Sequence, residues 1–72
     1  MTKLSALQID GIVARSEDGY IVITWNGSAT FNVYRQISEW QYEEVDVFTV
    51  YDIETDSQAA ATAREHLTEI GA

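Results

Sequence analysis

Apolar and polar residues alternate with a period of two along most of this chain, and only the last quarter changes to a helical period. Ile9, Ile12 and Val13 mark a first strand over 9–15, after a short lead-in at 1–8. "YIVITW" (20–25) is dense in β-branched and aromatic residues and reads as a central strand. In "ATFNVYRQ" (29–36), Phe31 and Val33 alternate with Asn32 and Tyr34, which predicts a third strand with one buried face. "ISEWQYEE" (37–44) breaks the alternation and reads as a connector or a bulged extension. "VDVFTVYD" (45–52) then gives a fourth strand with apolar groups on both faces at its middle, as expected of a central strand.

Turn residues punctuate these segments. Asp18-Gly19 supplies the positive φ that a short hairpin loop requires, and Asn26-Gly27 predicts a type I′ turn. The period changes in "TDSQAAATAREHLTEIG" (55–71), where Ala60, Ala63, Leu67 and Ile70 recur at helical spacing. Thr55 and Gln58 match a capping box, Asp56 complements the positive end of the helix dipole, and Gly71 is a stop. The expected fold class is therefore α+β: a four-stranded antiparallel meander followed by one C-terminal helix packed on one sheet face, β-β-β-β-α, in a single domain over 1–72. One helix covers part of one face. The other is left for solvent, a partner or a second copy, with Tyr20, Val22, Tyr34, Trp40, Tyr42, Phe48 and Tyr51 as candidates to line it.

Composition narrows the chemistry. The 72 residues include no cysteine, so there is no disulfide framework and no thiolate. Small secreted domains usually need such crosslinks, so a reducing compartment, the cytoplasm or nucleus, is expected, with the cytoplasm preferred. "MTKLSALQIDG" lacks the apolar run of a signal peptide, and no stretch is long enough to span a bilayer. Catalysis finds little support. His66 is the single histidine, expected to be a partly exposed helix residue, and Ser57 lies about 13 Å from it along the helix axis. Paired carboxylates need a desolvating cleft that so small a core rarely forms. Asp52, Glu54 and Asp56 occupy the first, third and fifth places of a calcium-loop pattern, but Ser57 stands where glycine is needed and Ala63 where glutamate is. No cofactor and no metal are expected.

Charge is the boldest global feature. Twelve Asp and Glu oppose four Lys and Arg, for a net charge of -8. Between Arg35 and Arg64 there is no cation, and seven acids fall there. Such a field repels nucleic acid and anionic membranes and attracts basic surfaces. The expected function is accordingly a non-enzymatic interaction module that binds a basic protein surface. The candidate partner-binding residues are Glu39, Trp40, Tyr42, Glu43, Glu44, Asp46, Asp52, Glu54 and Asp56, with the aromatics as anchors. A carboxylate array can also stand in for nucleic-acid phosphates in the groove of a nucleic-acid-binding host protein, by analogy with phage- or plasmid-borne inhibitors. The alternative is a structural module that forms a homodimer through the uncovered sheet face, its acidity serving solubility.

Overall fold

Over residues 12–49, strand-forming runs separated by short turns fold back on one another in sequence order, and the helix closes one side. The computed structural model describes residues 3–5 as backbone and residues 11–71 in full. Its elements are β1 (Lys3–Ser5), β2 (Ile12–Arg15), β3 (Ile21–Trp25), β4 (Thr30–Ser38), β5 (Gln41–Thr49) and α1 (Asp56–Glu69). From β2 to α1 this is the antiparallel meander and C-terminal helix that the residue pattern predicts. The sheet gains a fifth row, because the lead-in supplies β1, which pairs antiparallel with the start of β5. The order across the sheet is β1-β5-β4-β3-β2, so β1 and β2, consecutive in sequence, form opposite edges.

Register sorts the side chains onto two faces. Phe31 opposes both Trp25 and Phe48, and Val33 opposes Ile23. These residues face α1, whose Ala59, Ala63 and Leu67 complete a core with Ala14, Ile23, Phe31 and Val33. Alanines let the helix backbone come close, and α1 approaches β2 more closely than any other strand. Toward β5 larger groups fill the gap. Phe48 stacks between Phe31, at 4.9 Å, and His66, at 4.1 Å. The expected stripe shifts by one residue at its start: Ala59 is buried while Ala60 is half-buried, and Ile70 is exposed beyond the helix end.

The capping box forms as the sequence predicts. Gln58 N–H donates to Thr55 Oγ1, and Gln58 Oε1 accepts from the Thr55 and Glu54 amides. Gly71 takes a left-handed conformation at the helix end. Two expectations are corrected. β5 starts at Gln41, four residues before the expected Val45, and it pairs with β4 along its length but with β1 only over Gln41–Glu43, so β4 is the middle strand and β3 and β5 each lie one place in from an edge. Asn26-Gly27 is not a two-residue type I′ turn. The loop runs over 26–29, with the Asn26 side-chain oxygen accepting from the Ser28 and Thr30 amides. Ile9, the expected start of the first strand, lies outside the described residues.

Two glycines are tested by this geometry. Both have positive φ, but a Cβ on Gly27 would meet open space, whereas one on Gly11 would stand 2.9 Å from the Trp25 carbonyl oxygen. Gly27→Ala is expected to cost about 1 kcal/mol. Gly11→Ala should cost clearly more, because a backbone oxygen in a ladder cannot step aside. Urea unfolding of the two variants checks this, and equal losses would disprove the close approach.

Candidate functional site

The acidic run reads in one dimension as a single patch. Alternation along β5 divides it in three, since successive residues turn to opposite faces. Glu39 and Trp40 form the two-residue tip of the β4–β5 hairpin. Neither has positive φ, so the loop fits the strand twist poorly, and the ladder takes up the mismatch in a bulge at Ile37. At the other end of β5, about 27 Å away, Asp52, Glu54 and Asp56 lie exposed in the loop and first turn before and within α1. Among the described residues, no three His, Cys, Asp or Glu side chains gather as metal ligands would.

Between these ends, three carboxylates are each taken up by the sheet. Glu44 sits on the face away from α1, where Asn32 Nδ2 donates to its Oε1 at 2.6 Å. It adjoins Tyr34 in the ladder, and Tyr34 also hydrogen-bonds Thr24. Burial first, and the Glu44 charge second, push the Tyr34 phenol above its ordinary range, with the Thr24 bond opposing them. Asp46 faces α1. Its Oδ1 accepts from the Val47 amide at 2.8 Å, and its Oδ2 lies 4.0 Å from His66 Nε2. Glu43 is only 7 % exposed, between Arg35 of β4 and Lys3 of β1 in register, and its Oε1 meets no donor among the described residues. As a partner contact it presents almost no surface. A bulge at Val45 separates Glu44 from Asp46 and is what turns these neighbours apart.

The aromatics divide likewise. Trp40 is 66 % exposed and Tyr20 58 %, with Ile37 also exposed. Tyr20, Gln36, Ile37, Ser38 and Glu39 line an open cleft of about 340 Å³ at the hairpin end. The Gln36 amide donates to the Tyr20 carbonyl there at 2.7 Å, so the two turns are tied. Asp18 adds charge nearby. The Ser16 hydroxyl, and then the Tyr20 amide, hold its carboxyl below the usual carboxylate range. Tyr42 is half-buried on the far face, and Tyr51 is exposed after β5. The face away from α1 is not the open aromatic platform expected of it: Val22 is fully buried and Thr24 nearly so, while Phe48 belongs to the helix side. His66 is the partly exposed helix residue expected, with a buried Nε2 and its ring against Phe48.

Ile37 is not among the residues the sequence points to, and the sequence makes Tyr20 a candidate for the uncovered sheet face, not for the hairpin end. The signal available was an exposed-apolar one, a tyrosine directly after the Asp18-Gly19 turn. Tyr34 gives a test of the polar network beside them. A raised phenol pKa means that the folded state resists ionisation, so stability is full below the ordinary tyrosine range near 10 and falls as pH rises through the folded value. Glu44→Gln removes the like charge but leaves the burial. The Tyr34 titration, followed by the NMR shift of its ring carbon, should move toward the ordinary value without reaching it. An unchanged midpoint would show that Glu44 is not felt there.

No protein-family model matches the chain, and no match is found among curated proteins or solved structures.

Proposed function

We propose that this protein is a non-enzymatic interaction module that binds a basic protein surface through the end of its β4–β5 hairpin. The observation that carries the reading is Trp40, two-thirds exposed at a hairpin tip beside Glu39, which lines a cleft with the exposed Tyr20 and Ile37. A tryptophan in water gains nothing for the fold and is a common anchor in binding interfaces. The charge supports a cationic partner. A net -8 steers basic surfaces inward, and the chain from 36 to 63 holds no Lys or Arg to interfere. Glu39 meets the partner directly, while Asp52, Glu54 and Asp56 act at long range from the opposite end. The partner class is a protein whose basic groove ordinarily holds a nucleic acid, such as a host factor met in the cytoplasm, with the carboxylates in place of phosphates.

The test is capture from a host lysate at low salt, followed by kinetics with the partner retained. Trp40→Ala is expected to weaken binding about thirtyfold, or ~2 kcal/mol, with thermal stability nearly unchanged because the side chain is exposed. The on-rate should fall steeply with added salt, and an oligonucleotide should compete for the partner. Binding that ignores both salt and Trp40 would overturn the reading. A partner whose nucleic-acid binding is unaffected would remove the mimicry.

A further inference from the structure

A second surface lies where β5 passes the helix. β1 covers only Gln41–Glu43, and among the described residues nothing pairs with the outer side of β5 beyond that point. The direction of the free groups follows from the ladder. The Val50 amide donates to the Ala29 carbonyl in β4's direction. Since alternate residues of an antiparallel strand turn their amides to opposite sides, Phe48 and Asp46 point inward and Val47 and Thr49 point out. The outward Val47 amide is held by its neighbour's side chain, Asp46 Oδ1, and not by another strand.

Beside this edge α1 stands off from the sheet, its alanine contacts being toward β2. The gap is a cleft of about 280 Å³, floored by Phe48 and Val50 and rimmed by Thr62, Glu65, His66 and Glu69 of the helix. The rim carries two carboxylates, Asp46 flanks it, and the negative end of the helix dipole lies at the same end. No Lys or Arg lines it. On the opposite face of β5, Val47 is 54 % exposed. A strand laid along this edge would therefore meet two environments in alternation, acidic over the cleft and apolar on the far face.

We infer that β5 accepts an extended basic peptide segment of a partner as an added antiparallel or parallel strand along Asp46–Val50. Its alternate Lys or Arg side chains reach over the cleft to Glu65, Glu69 and Asp46, and the intervening apolar side chains pack against Val47. This is strand addition: main-chain hydrogen bonds to Val47 and Thr49 hold the peptide, and the cleft selects its charge. Asp46 changes partners in the process, releasing the Val47 amide and taking a cation. The inference is independent of the hairpin end and stands if Trp40 proves inert.

The probe is a capped (Lys-Val)₃ peptide, with (Glu-Val)₃ as control, titrated into the full chain and followed by NMR. Shifts at the Val47 and Thr49 amides and intermolecular contacts from them to peptide backbone are expected, with (Glu-Val)₃ inert. Val47→Pro removes an outward donor without touching the β4 ladder and should weaken (Lys-Val)₃ at least tenfold. Glu65→Lys with Glu69→Lys should do the same, while Trp40→Ala stays within twofold. Binding of Val47→Pro within twofold overturns the proposal. So do wild-type shifts confined to Tyr20 and Trp40, equal binding of the acidic control, or a mass showing β5 already occupied by a second copy. The wild-type contacts decide the matter if the proline variant does not fold.

Discussion

The approach of α1 to the sheet through Ala59 and Ala63 sets nearly everything else in the molecule. Alanine offers little area, so the helix gains stability only where the backbone comes close enough for Ile23, Phe31 and Val33 to press on it. Those three are fully or almost fully buried, and with so few large core groups Phe31 carries a large share of the packing. Close contact on the β2 side forces separation on the β5 side, because a straight helix crossing a twisted sheet cannot lie flat on every strand. Phe48 and His66 fill that separation only in part. The cleft beside β5 is a direct result of small residues on the other flank.

The acids of β5 raise the question of how a strand tolerates so much like charge when only Glu43 has cationic residues, Arg35 and Lys3, opposite it in register. The answer is local and mostly neutral. Glu44 takes an Asn32 amide, Asp46 takes the Val47 amide, and Asp18 takes a hydroxyl and an amide in its turn. A carboxylate that accepts neutral donors is satisfied without an ion pair and does not pay the entropy of ordering two long side chains. Alternation and the Val45 bulge also separate consecutive charges onto different faces. An acid on an edge strand has a further use, since it discourages the strand from pairing with copies of itself.

Local signals were legible in the sequence, and long-range ones were not. Thr55-Asp56-Ser57-Gln58 specified the helix start because a capping box is settled within four residues. The alternation around Phe31 and Val33 likewise gave the buried face of β4. The start of β5 was hidden because Gln41, Glu43 and Glu44 have poor strand propensity and the Val45 bulge breaks the period. β1 was invisible for another reason. Three residues hold too little pattern, and the strand exists through its pairing with a segment far along the chain. The nine candidate contacts do not share one face, since register decides which side each one takes and a bulge shifts register by one.

That distant pairing bears on how the chain acquires its shape. Trp25 and Phe31 meet across a short loop, whereas Lys3 and Glu43 are forty positions apart and their strands occupy opposite ends of the sequence order. Closing a long loop for a three-residue reward is entropically the least favourable step available. On this ground the β2–β5 meander with its helix is expected to assemble first, with the first strand docking onto a body already formed. Interactions made after the rate-limiting barrier slow unfolding without speeding folding, so β1 is expected to act as a latch on the lifetime of the native state and not as a seed for it.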